Sequence, residues 1–230
     1  MRLGLDVFLH DYSSKFSDAR IGLITNSTGV NCELRRNIDL FLEHGLKLVK
    51  LFGPEHGIYG AAPDGVKVSD AVDPRYKIPV YSLYGDKTRP TKEMLEDLDV
   101  VVFDIQDVGL RFYTYIYTMA YCMEESAKYG IKFIVLDRPN PINCEIVDGP
   151  VIKKDFDSFV GGYGLALRYG MTIGELARYL NDYQKVNADL MVIPMDGYAR
   201  SYFYDETGLF WNTPSPNLPS LEHTLLYIGF

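Results

Sequence analysis

Asp99-Val100-Val101-Val102-Phe103-Asp104-Ile105 is the stretch that decides the fold class. Its apolar centre has no polar face, so it reads as a strand covered on both sides, the kind found inside a parallel sheet. A second run of this kind, Ile131-Lys132-Phe133-Ile134-Val135-Leu136, follows one helix later. The helix between them is predicted from about Phe112 to Tyr129, with Phe112, Ile116, Met119, Ala120, Met123 and Ala127 on its buried stripe. Strand, helix and strand in that order make a βαβ unit.

The same alternation extends in both directions. Upstream, Arg20 to Thr25 and Leu46 to Phe52 read as strands. Between them Asn31 is placed to cap a helix carrying Leu34, Ile38, Phe41 and Leu42, ending near Gly45. Ile58 to Lys77 reads as loop, Pro79 to Tyr84 as strand, and Thr91 as the start of a short helix. Downstream, Thr172-Ile173-Gly174-Glu175 is a capping box opening a helix to about Tyr183, and Asp189 to Pro194 is a last strand. The expected fold is therefore α/β and Rossmann-like, a mostly parallel sheet with helices on both faces. Residues 1–195 form the expected catalytic domain. Residues 196–230 are expected to be irregular, because the prolines around Trp211 to Pro219 bias their neighbours away from helix.

Bulk properties narrow the function. The 230 residues are 47% hydrophobic and carry a net charge of −8, without a basic cluster. That balance argues against nucleic acid and anionic membrane as partners. No stretch is long and apolar enough to span a bilayer, and Met1 to Asp6 lack a signal-peptide core. On that reading the chain is cytosolic or already trimmed. Cys32, Cys122 and Cys144 are too scattered for a disulfide framework or zinc site. There is no G-x-G-x-x-G, no P-loop and no G-x-S-x-G elbow, so no cofactor is expected.

Chemistry is expected where strands end, because in an open parallel sheet these ends share one edge. Thr25 and Asn26 follow the first strand. Gly53-Pro54-Glu55-His56-Gly57, a rigid polar turn, follows the second. Asp104, Gln106, Asp107 and Arg111 follow the third, and Asp137, Arg138 and Asn140 the fourth. Glu55 reads either as a cleft acid or as a solvated loop carboxylate, and His56 as an orienting group or a structural one. Asp107 could cap a helix or bind a sugar hydroxyl. Arg111 could pair with Asp107 or hold a substrate carboxylate. Asp137 and Arg138 could be no more than a local ion pair. Tyr113 stands at the helix start, near the same crevice. A rival chemistry is Mg²⁺ held by Asp104, Asp107 and Asp137.

Taken together, the segments resemble the exo-β-N-acetylmuramidases of the NamZ type. The carriers are Gly22 to Val30 (GLITNSTGV), Leu51 to Gly57 (LFGPEHG), Val102 to Gly109 (VFDIQDVG), Arg111 to Tyr115 (RFYTY), Leu136 to Pro141 (LDRPNP), Tyr169 to Leu176 (YGMTIGEL) and Pro214 to Asn217 (PSPN). The resemblance implies a glycoside hydrolase that removes terminal N-acetylmuramic acid from the non-reducing end of peptidoglycan fragments. It implies Glu55 as the acid/base, with His56 beside it. Asn26, Asp107, Arg111, Tyr113, Asp137, Arg138 and Asn140 would line the cleft around a MurNAc-GlcNAc type glycan. Arg111 or Arg138 would then hold the lactyl carboxylate. Cys144 and Asp148 depart from the family pattern, which has glycine and glutamate there. In the family, which is commonly exported, this region runs on into an auxiliary domain. The resemblance therefore implies a chain truncated before that domain, or a non-catalytic muramyl-sugar binding module left by its loss.

Overall fold

The computed structural model describes residues 1–60 and 69–229. Seven strands form one sheet: β1 (Arg20–Thr25), β2 (Lys47–Gly53), β3 (Ala71–Val72), β4 (Pro79–Ser82), β5 (Val100–Asp104), β6 (Lys132–Leu136) and β7 (Leu190–Ile193). Their spatial order is β3-β4-β2-β1-β5-β6-β7, and every pair is parallel except the edge pair β3 and β4. Chain order runs outward from β1 to β4, then crosses to β5 and runs outward again. The order therefore reverses between β1 and β5, which is the switch point where open α/β sheets place their crevice.

All of β5 is buried, as its unbroken apolar run requires. Successive side chains leave opposite faces of a strand, so the sheet feeds two separate cores. Val100 and Val102 join Leu5, Phe8, Ile38 and Phe41 on the face covered by α1 (Gly4–Asp11) and α2 (Asn37–Glu43). Val101 and Phe103 join Ile116, Met119, Met123 and Leu176 on the face covered by α4 (Tyr115–Lys128) and α5 (Ile173–Arg178). Met94 and Leu95, from the single-turn α3 (Lys92–Leu95), belong to the second core. Helices thus cover both faces, as expected.

Several boundaries differ from the sequence reading. α1 lies in a stretch that carried no expectation. Its first residue has room for nothing larger than glycine, since a Cβ on Gly4 would stand 2.3 Å from the Asp137 nitrogen. α2 begins at Asn37, not near Asn31. The Asn31 side chain instead accepts from the Glu33 and Arg35 nitrogens at 3.0 and 2.9 Å. That closes a turn in which Leu34 takes φ +60° and is exposed, so these residues form a loop. α4 starts at Tyr115, because Leu110 to Tyr113 already form a separate turn, with Tyr113 N donating to Leu110 O at 3.1 Å. α5 passes into a π-type turn at Tyr179–Tyr183. Of the expected loop Ile58 to Lys77, residues 61–68 lie outside the described residues, and the remainder includes β3.

The segment after Met195 is not wholly irregular, for it carries α6 (Leu221–Leu226). It lies against the carboxyl edge of the sheet. Asn212 Nδ2 donates to Ser27 O at 2.6 Å, and the Tyr115 hydroxyl donates to Pro214 O at 2.5 Å. Leu218 packs into the α4 core.

Candidate functional site

β2 ends at Gly53, and the chain turns at once. Gly57 N donates to Pro54 O at 2.9 Å, and His56, the third residue of that turn, takes φ +69°. A histidine seldom occupies the left-handed region, and such strain concentrates at functional positions. The turn carries Glu55 to the wall of a cleft of about 580 Å³. Glu55 Oε2 accepts a hydrogen bond from the Thr114 hydroxyl at 3.0 Å. Thr114 stands directly before α4, so the carboxylate sits near the positive end of a 14-residue helix.

The cleft has polar and aromatic sides. Glu55, His56, Thr114, Ser215 and Asn217 supply the polar groups, while Tyr84, Phe112, Tyr113 and Tyr227 supply rings. Phe112 and Tyr227 meet edge-on with centroids 4.8 Å apart. Ser215 to Tyr227 all come from the segment after Met195, which therefore builds one wall.

Next to the cleft lies a buried polar group. The Tyr113 and Tyr115 rings meet edge-on at 4.8 Å, and both feel the charges of Glu55 and Asp107. Burial pushes both phenols well above their ordinary range, so they are neutral donors. Asn26 Oδ1 accepts from Thr28 N at 2.9 Å and from its hydroxyl at 2.5 Å. Asp107 Oδ2 accepts from Gly109 N at 2.7 Å and from the Tyr169 hydroxyl. Burial raises Asp107 to about 6, against the pull of those two donors. Asn26 Nδ2, Asp107 Oδ1 and Tyr113 Oη are buried without a hydrogen bond of good geometry to any protein group.

Of the residues expected at the site, Glu55, His56 and Tyr113 line the cleft, and Asn26 and Asp107 stand behind Tyr113 and Tyr115. The other four do not line it, and each is tied at least in part to other protein groups. Arg138 makes two hydrogen bonds to Asp104, at 2.7 and 3.0 Å, and one to Val30 O at 2.9 Å. Arg111 Nη1 donates to Pro150 O and Leu165 O at 2.5 and 3.0 Å. Asp137 caps α5, accepting from Gly174 N and the Thr172 hydroxyl at 2.8 and 3.0 Å, and burial raises it to about 6. Asn140 joins Met171 O to Ile142 N at 2.9 and 3.1 Å.

The switch point itself is filled. Asn37 Nδ2 reaches Thr25 Oγ1 at 2.8 Å and Asp104 Oδ2 at 2.7 Å, while Arg138 closes the other side of Asp104. This buried network holds the ends of β1 and β5 together, and the open cleft lies beside it, at the end of β2. The rival Mg²⁺ site also loses its geometry, since Asp104, Asp107 and Asp137 each serve different protein donors. Among the described residues no three His, Cys, Asp or Glu side chains converge to hold a metal ion.

The sequence reading assigned no role to Thr114 or Tyr84, nor to the wall contributed by Ser215, Asn217, Leu218 and Tyr227. A signal existed for three of these. Thr114 lies in the RFYTY segment, and Ser215 and Asn217 lie in the PSPN segment, both among the carriers of the family resemblance. Nothing local marked Tyr227.

With this geometry in view, known proteins are informative. Residues 21–222 match the family model described as the N-terminal region of the exo-β-N-acetylmuramidase NamZ. The chain belongs to this family. It is 48% identical over 228 residues to the peptidoglycan β-N-acetylmuramidase NamZ of Bacillus subtilis, covering 99% of this chain and 55% of that one. The chain thus spans about half the length of this curated relative. Two crystal structures of DUF1343 family proteins from Bacteroides fragilis share the NamZ N-terminal fold seen here. One superposes with a TM-score of 0.92 at 42% identity, covering 98% of this chain and 58% of that one. The other gives 0.83 at 33% identity, covering 99% and 60%. No described helix is long and apolar enough to cross a membrane.

Proposed function

We propose that this chain is the catalytic unit of an exo-acting glycoside hydrolase that releases terminal N-acetylmuramic acid from peptidoglycan fragments. The observation that carries this reading is the Glu55 carboxylate, fixed by Thr114 in a cleft with polar groups on one side and rings on the other. Residues 1–195 supply the core of that unit, and Ser215 to Tyr227 of the segment that follows wall the cleft.

In this reading Glu55 exchanges a proton with the glycosidic oxygen or with water. Most glycosidases need a second carboxyl group, and its distance from the first selects retention or inversion. Asp107 suits that role better than Asp137, because one of its oxygens is not committed to a protein donor. The acetamido group of the substrate is the alternative partner. Neither Arg111 nor Arg138 lines the cleft, so the lactyl carboxylate falls to the imidazoles of the cleft wall, His56 and His223. Pairing that carboxylate is what separates muramic acid from N-acetylglucosamine.

The test is a Glu55→Gln variant of the full-length protein acting on a chromogenic N-acetylmuramide. A loss of turnover by about a thousandfold or more is expected, in line with removal of an essential proton-transfer group. Turnover near wild type overturns the assignment.

A further inference from the structure

The Thr114 hydroxyl makes an unusual choice of partner. A threonine directly before a helix ordinarily spends its oxygen on a free N–H of the first turn. Thr114 makes no such cap bond, because its own backbone is already helical (φ −69°, ψ −21°). Its hydroxyl instead reaches 59 residues back in sequence, to Glu55 Oε2 at 3.0 Å. The Thr114 backbone is nonetheless well held, since its carbonyl accepts from both Tyr117 N and Thr118 N at 3.1 Å. The side chain is thus presented from a fixed base, and both partners line the cleft.

Glu55 needs such a hold. It stands on a turn whose next residue, His56, is in the left-handed region, and glutamate has three side-chain torsions to order. A hydrogen bond from rigid secondary structure restricts them to one geometry, and a catalytic group gains most from that kind of support.

We propose that Thr114 is a positioning residue for the reaction, holding the Glu55 carboxylate in the orientation that meets the glycosidic oxygen. This rests on the acid/base reading of Glu55 above. The helix start draws no side-chain cap from Thr114, whose backbone is already helical. Stability and activity therefore respond differently to Thr114, and that difference is what an experiment can read.

The experiment uses the full-length protein, with Thr114→Val and Thr114→Ser made alongside Glu55→Gln. Valine keeps the shape and removes the hydroxyl; serine keeps the hydroxyl. Thr114→Val is expected to lower kcat about 10- to 100-fold, the effect of losing a hydrogen bond to a charged group. KM should stay within about twofold, and Tm within about 2 °C because no cap is lost. Thr114→Ser should recover kcat to within about threefold. In the Glu55→Gln background, Thr114→Val should cost little more. A Thr114→Val enzyme with wild-type kcat overturns the proposal, as does a loss of rate that follows a fall in Tm and is not recovered by serine. If Glu55→Gln abolishes turnover and Thr114→Val does not lower it, only the Thr114 role falls. If Glu55→Gln leaves turnover intact, the acid/base reading falls first and takes this role with it.

Discussion

Arg138 Nε stands 2.7 Å from Asp104 Oδ1, with the arginine side chain 4% exposed and the aspartate fully buried. This pair ties the ends of β5 and β6 together and, through Asn37, the end of β1. Removing one member of a buried pair strands the other charge in a place that cannot solvate it, at a cost of about 3–5 kcal/mol. Arg138→Met is therefore expected to lower the urea midpoint sharply at constant slope. Arg138→Met with Asp104→Leu should lose less than the two single losses added together, because no lone charge is left. Full additivity would show that the pair is not coupled.

That pair also shows what the sequence can and cannot carry. The continuous run Val100 to Phe103 fixes a doubly covered strand, since no other placement keeps four apolar residues from water. Sheet class and the sharing of one edge by the strand ends follow from it. The use made of each polar group does not follow. Arg138 and Asp137 stand on the same strand end, one satisfied by an aspartate 34 residues away and the other by a helix start 35 residues away. Those partners are set by packing in three dimensions, which local spacing does not encode. Glu55 was legible because a Gly-Pro and a glycine fix its turn. Tyr227 was not, because its position depends on the return of the C-terminal segment across the sheet edge.

Asp107 and Asp137 give stability an uncommon pH dependence. Burial raises both from 3.8 to about 6 in the folded protein, and it raises Asp6 in the same direction. Between those values the folded chain holds protons that the unfolded chain has released, so the stability they contribute is complete below about pH 4 and is lost as pH rises through 6. Groups with lowered values act below this window, such as Asp99, held at about 2 by Arg20. Unfolding free energy is thus expected to fall between pH 4.5 and 7, by up to about 3 kcal/mol for each of the two carboxyls. Asp107→Asn should flatten the slope. Chemical denaturation across that range is the measurement, and a rising slope would contradict it.

His56 separates backbone strain from side-chain chemistry. At φ +69° an L-residue costs about 1–2 kcal/mol that glycine does not. His56→Gly and His56→Ala both remove the imidazole, so both should lower activity alike. They should differ in stability, with glycine about 1 kcal/mol more stable than alanine. Equal thermal midpoints for the two variants would mean that the turn relaxes when histidine is lost.

The edge-on contact of Phe112 with Tyr227 makes the C-terminal segment part of the binding surface. Such a ring pair is worth about 0.5–1.5 kcal/mol beyond simple burial. Tyr227 is remote from Glu55 in the chain and belongs to the wall, so its loss should be felt in binding and not in the chemical step. Tyr227→Ala in the full-length protein is expected to raise KM for a muramide about 2- to 10-fold and to leave kcat within about twofold. Tyr227→Phe, which keeps the ring, should recover most of that loss. A fall in kcat with unchanged KM would place Tyr227 at the reacting centre and would require a different account of the wall.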